Sequence, residues 1–167
     1  MARYKDKIKT VEMELALASW VGFTRNLVVP NVTWGLGFQH ELDICVITAS
    51  GYIWETEIKV SLSDLKKDKE KFHGHRSHKI KRLYFAVPSY LEHHVAEHAP
   101  ERAGIIIVRR NSAGRLFCHE VRKPTTNNTA LKVSDKERYK LARLGAIRLW
   151  TLKRKLQKTG KQMTLFN

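Results

Sequence analysis

Two apolar segments joined by only three residues constrain this chain more than anything else in it. Glu41 to Thr48 (ELDICVIT) and Tyr52 to Val60 (YIWETEIKV) flank Ala49-Ser50-Gly51. So short a connection returns the chain antiparallel, and a glycine at its end accepts the left-handed conformation the turn needs. Pairing Thr48 with Tyr52 sets the register and brings Asp43 opposite Glu57. Side chains alternate along a strand, so Glu57 and Lys59 share one face of the second strand. Tyr52, Trp54, Ile58 and Val60 take the other. Directly opposed residues have Cβ atoms about 5 Å apart, and two carboxylates at that distance repel unless a cation lies between them.

This grouping has a chemical meaning. Phosphodiester hydrolysis needs a divalent cation, an activated water and compensation of charge at the scissile phosphate. Hard cations take carboxylate oxygens, and a nearby lysine can orient the water or steady the phosphate. An E-x-K triplet alone is weak evidence, because alternating charges often mark a solvated strand face. Asp43, however, lies inside an apolar strand, and the turn matches it to Glu57. Glu41 and Glu55 share the faces of Asp43 and Glu57, either supporting the site or simply exposed.

Elsewhere, hydrophobic spacing predicts a helix over Ile8 to Val21, with Ile8, Val11, Leu15 and Ala18 on its apolar face. Asn26 to Thr33 reads as a strand that Pro30 confines to an edge or bulge. Ser61 to Phe72 reads as a lysine-rich helix that Ser61 or Ser63 can cap. Leu83 to Val87 and Gly104 to Arg109 are buried strands, with a short helix, Tyr90 to His98, between them. Gly114 to Val121 pairs with the second of these. A long basic helix starts at Ser134 or Asp135 and reaches about Lys158, with Leu141, Leu144, Leu152 and Leu156 forming its apolar face. The expected order is helix, three strands, helix, strand, helix, two strands, helix. That order implies an α/β fold around one central mixed sheet. Residues 1–159 read as one domain and residues 160–167 as a free tail.

The charge points to a partner. Thirty-one Lys and Arg against sixteen Asp and Glu give a net charge of +15, which favours polyanions through counterion release. Two cysteines in unlike contexts, Cys45 and Cys118, make neither a disulfide framework nor a zinc motif. No signal peptide or membrane-spanning stretch is legible. A cytoplasmic, nucleoid-associated protein without membrane contact is expected. No P-loop motif occurs, which argues against ATP hydrolysis. His73, His75 and His78 are crowded by Lys and Arg, so the loop suits phosphate better than zinc.

The helix, then Asp43 in LDICVIT, then Glu57-Ile58-Lys59 in WETEIKVS together resemble the PD-(D/E)XK nuclease core. Within that superfamily, EIKVSLSDLKKDKEK followed by KRLYFAVP resembles the MmcB-like DNA-repair branch, as does the long basic C-terminal helix. The likeness is firm from about Glu41 to Pro88. It departs from the pattern at Leu42, where a proline would precede Asp43. The resemblance implies a restriction-endonuclease-like core, DNA as substrate and Mg²⁺ or Mn²⁺ as cofactor. Asp43 and Glu57 would be metal ligands and Lys59 the catalytic lysine. Many such nucleases add a carboxylate from the first helix. Glu12 and Glu14 are the candidates, and Glu12, flanking the Ile8/Leu15 face, is favoured. Many also act as homodimers. Lys66, Lys69, Arg76, Arg143 and Arg154 are candidate DNA contacts, and Trp150 is placed to stack on a base. The alternative is a DNA-binding or recruitment module on the same fold, with little cutting. The tail Gln162-Met163-Thr164-Leu165-Phe166 resembles the short peptide that binds the bacterial sliding clamp. Gln162 would set its register and Leu165 and Phe166 would anchor it in a groove.

Overall fold

The computed structural model describes residues 7–38, 40–68 and 77–159. Its elements are α1 (Thr10–Trp20), β1 (Leu27–Val32), β2 (Leu42–Ile47), β3 (Ile53–Ile58), α2 (Leu62–Asp68), β4 (Ile80–Pro88), α3 (Glu92–His98), β5 (Gly104–Arg110), β6 (Leu116–Arg122) and α4 (Asp135–Lys158). This is the order the sequence predicts. One 3-10 turn, Ser89–Leu91, leads into α3.

The six strands form one mixed sheet in sequence order. β1, β2 and β3 are antiparallel, β3, β4 and β5 parallel, and β5 and β6 antiparallel. The two parallel connections need crossovers, and α2 and α3 supply them. Pro30 sits on the edge strand β1, where the missing N–H costs no ladder bond. Gly51 takes φ +87° at the β2–β3 turn, and its N–H donates to the Thr48 carbonyl at 2.9 Å. Gly104 serves a different need: a Cβ there would lie 2.6 Å from the Tyr84 ring.

Alternation along the strands builds a core on each side of the sheet. Met13 and Leu17 of α1 pack against Ile44, Val46, Tyr84, Ala86, Ile106 and Val108. On the other side Leu141 and Leu144 of α4 cover Cys45, Ile47 and Ile53. Leu65 of α2 and Val95 of α3 cover Leu83, Phe85 and Val87.

Two expected helix faces change. In α1 the buried pair is Met13 and Leu17, while Val11 and Leu15 are exposed. The segment is apolar around much of its circumference, so spacing alone does not select the face that meets the sheet. In α4 the buried face stops at Leu144, and Leu149, Trp150 and Leu152 are exposed. Length explains this. Twenty-four helical residues span about 36 Å, whereas the six residues of β1 span about 20 Å. The helix outruns the sheet. Where α4 crosses the edge, the Arg148 guanidinium donates to the carbonyls of Pro30 and Asn31. Ser134 caps the helix in a capping box with Glu137. Lys79 pairs with Glu137, and with Ser134 it holds the Glu137 carboxyl at a pKa of about 2. No described helix is long and apolar enough to cross a membrane.

Candidate metal centre

The β2–β3 ladder runs from Ile47↔Ile53 to Ile44↔Thr56. Continued by one step, the same register sets Asp43 opposite Glu57, as the three-residue turn predicts. At that step the ladder changes character. The Ile58 N–H donates to the carboxylate of Asp43, at 2.7 Å, rather than to a backbone carbonyl. On its other edge β3 stays paired with β4, and the Lys59 N–H donates to the Ala86 carbonyl at 3.0 Å. The C-terminal end of β3 is thus clamped by backbone on one side and by a carboxylate on the other.

Glu55, Glu57 and Lys59 point the same way and are buried, at 0%, 1% and 4% exposure. The Lys59 ammonium donates to Glu57 Oε2 at 2.8 Å and lies 5.9 Å from the centre of the Phe85 ring. Charges so far from water persist only when compensated, and removing one partner of such a pair typically costs about 3–5 kcal/mol. Glu55 meets His40, whose Nε2 lies 2.7 Å from Glu55 Oε1. The His40 ring is flanked by Phe38, with ring centres 6.2 Å apart. One ligand atom from each of His40, Glu55 and Glu57 lies within 4.8 Å of the others. Among the described residues this is the group of three with metal-ligand spacing, and Asp43 is not part of it.

Asp43 is instead near Glu14 of α1. Burial raises the Glu14 pKa, and the charge of Asp43 raises it further, while Asn31 and Arg148 act the other way. Glu12, the carboxylate favoured from sequence, is engaged elsewhere. It accepts the Lys9 N–H at 2.9 Å and pairs with Arg110 at 2.8 Å. These bonds, the Lys9 one foremost, lower its pKa. The reversed α1 face accounts for Glu14, rather than Glu12, lying near Asp43.

Glu41 is exposed, as are Lys66 on α2 and Arg143 and Arg154 on α4. Trp150 is exposed, with Lys153 5.1 Å from its ring centre. Lys69, Arg76 and the tail residues Gln162, Leu165 and Phe166 lie outside the described residues, as do His73 and His75. Sequence reasoning missed the depth of Glu55 and the presence of His40. Glu55 had a signal, being two residues from Glu57 on one strand face. His40 had none, because it arrives from an irregular loop.

A family model described as DNA repair protein MmcB-like matches residues 12–155. The chain belongs to this family of DNA repair proteins. It is similar in structure to the SPO1766 protein of unknown function from Silicibacter pomeroyi, with a TM-score of 0.60 and 18% identity over 97% of this chain and 98% of that chain. At that identity the likeness concerns the fold. No curated protein matches the chain.

Proposed function

We propose that this chain is a metal-dependent deoxyribonuclease of the PD-(D/E)XK type, with its cutting centre at the C-terminal end of β3. The observation that carries this reading is the buried Glu57–Lys59 pair in register with Asp43. An ion pair is seldom this deeply buried unless its geometry is tightly held. Here it sits where the β2–β3 ladder opens.

The donor chemistry fits Mg²⁺ or Mn²⁺, since both accept carboxylate oxygens. Glu57 and Asp43 would hold the ion, with Glu14 assisting from α1. When bound, such an ion supplies Lewis-acid charge and lowers the pKa of a water. The chain's own part is positional. Glu57 fixes the Lys59 ammonium, which orients the attacking water or offsets charge on the phosphate. Asp43, tied to the Ile58 N–H, keeps a carboxylate at the mouth of the opening. Lys66, Arg143 and Arg154 contact DNA phosphates, joined by Lys69 and Arg76, and the charge of +15 makes this binding strongly salt-dependent. The test is plasmid nicking by the wild type and Asp43→Asn, each with Mn²⁺ and with EDTA. Nicking only by the wild type with Mn²⁺ is expected. Equal nicking by a clean Asp43→Asn preparation would remove Asp43 from the site.

Recruitment is a second proposal, carried by the tail motif. Gln162, Leu165 and Phe166 begin four residues past the end of α4 at Lys158, as a tethered peptide ligand requires. Burying two such anchors, less the cost of ordering the tail, suits a reversible tether of about micromolar strength. A labelled GKQMTLFN peptide should bind a bacterial sliding clamp, and a Leu165→Ala, Phe166→Ala peptide should not. Equal binding by both, or by neither, would contradict recruitment.

A further inference from the structure

The structure assigns His40, Glu55 and Glu57 as one metal site, in which an imidazole nitrogen selects first-row transition ions over Mg²⁺. This deepens the proposed nuclease reading, which gives the ion no nitrogen ligand, no part for Glu55 and no selectivity.

His40 Nε2, a Glu55 oxygen and a Glu57 oxygen lie within 4.8 Å of one another, a spread that a single cation can draw together at ordinary ligand distances of about 2.0–2.2 Å. The carboxylates are almost wholly buried, and the side chain of His40 is 9% exposed. Two carboxylates this close, and this far from water, repel strongly unless positive charge accompanies them. Lys59 pairs with Glu57 at 2.8 Å, and a divalent ion held by the three donors would add positive charge there. A bound divalent ion would be ligated by His40 through Nε2. Lys59 would remain beside Glu57.

The ligand identities then decide the metal. Mg²⁺ prefers oxygen ligands and retains several waters. Imidazole suits Zn²⁺, Fe²⁺, Co²⁺ and Ni²⁺, with affinity rising along the first row from Mn²⁺. One imidazole with two carboxylates is therefore a transition-ion site. The His40 Nε2 already points at Glu55, 2.7 Å from its Oε1, on the side where the ion would sit.

The experiment uses the metal-free full chain, with Co²⁺, Mn²⁺ and Mg²⁺ themselves as probes. Co²⁺ is followed by its visible absorption, and all three ions by thermal melting. Co²⁺ should bind one to one and raise the melting temperature at concentrations at least ~10-fold below those Mg²⁺ requires. His40→Gln should weaken Co²⁺ binding by at least about 10-fold, and Mg²⁺ binding by a smaller factor. Should that variant fail to fold, the wild type still decides. Sub-stoichiometric Mn²⁺ should broaden the His40 ring resonances before those of His93 and His94. Equal Co²⁺ and Mg²⁺ requirements, undiminished Co²⁺ binding by folded His40→Gln, or unbroadened His40 resonances would each overturn the assignment. Mn²⁺-dependent nicking with any of those results removes the imidazole ligand alone. Co²⁺ binding at His40 without nicking in any metal removes the nuclease reading and leaves the site.

Discussion

Two sets of carboxylates flank the C-terminal end of β3, and they are held by different means. Glu55 and Glu57 are sealed from solvent, each against a cationic or basic partner, His40 and Lys59. Asp43 and Glu14 are partly exposed. A backbone N–H holds the first, while Asn31 and Arg148 act on the second. The buried set is preorganised, because its side chains have few other positions. The open set keeps contact with solvent. On the proposed function the two sets divide the work: a fixed lysine would meet the water or phosphate in one geometry, and the partly exposed carboxylates would face the substrate.

The largest expected effect lies on the buried side. Lys59→Ala should lower single-turnover cleavage by about 10²–10⁴-fold, the usual contribution of a positioned proton-transfer group, with little change in DNA affinity. Loss of affinity alone, measured by anisotropy, would make Lys59 an ordinary phosphate contact. The same substitution removes a buried ionic partner of Glu57, so metal-free stability should fall by about 3–5 kcal/mol. Lys59→Ala, Glu57→Gln should recover much of it in urea melts.

The difference between the two sets also marks what sequence could reveal. The hairpin was legible because a three-residue turn ending in glycine leaves little freedom in register. Asp43, Glu57 and Lys59 therefore fall together from alternation alone. Element order and the Ser134 cap were legible for similar local reasons. Tertiary choices were not. Val11 and Leu15 look as apolar as Met13 and Leu17, and only docking on Ile44, Tyr84 and Ala86 selects the second pair. That choice carries Glu14 toward Asp43 and leaves Glu12 to Lys9 and Arg110. His40 reaches Glu55 through a loop with no periodicity to read.

The open side offers a smaller, sharper test. Glu14→Gln should reduce cleavage by about 10–100-fold, the range for groups that support a metal ligand, while Glu12→Gln should leave cleavage unchanged. Reversed results would restore the assignment to Glu12. Stability should move oppositely. Because the Glu14 pKa is raised in the fold, its ionisation opposes folding. The penalty is absent well below pH 4.5, grows as pH rises through the folded pKa, and is complete above it. Metal-free Glu14→Gln should therefore match the wild type in acid and be slightly more stable at pH 7. Urea melts at the two pH values read this directly, and a variant less stable at pH 7 would contradict it.

DNA affinity, remote from both carboxylate sets, should respond least. Reversing the exposed Arg143 and Arg154 should flatten the slope of log affinity against log salt by at least about 1.8, or about 0.9 for each phosphate that is no longer neutralised. An unchanged slope would remove α4 from the DNA interface. Cleavage per bound complex should remain as in the wild type, since neither arginine lies at the end of β3.

On the proposed function, metal held at the end of β3 cuts DNA. This is tested most directly by titrating the metal-free chain with Mn²⁺ while recording plasmid nicking and protein melting temperature in the same samples. Both should rise together and half-saturate at one Mn²⁺ concentration, and EDTA should reverse both. Nicking that persists in EDTA, or none at Mn²⁺ concentrations that saturate the thermal shift, would contradict it.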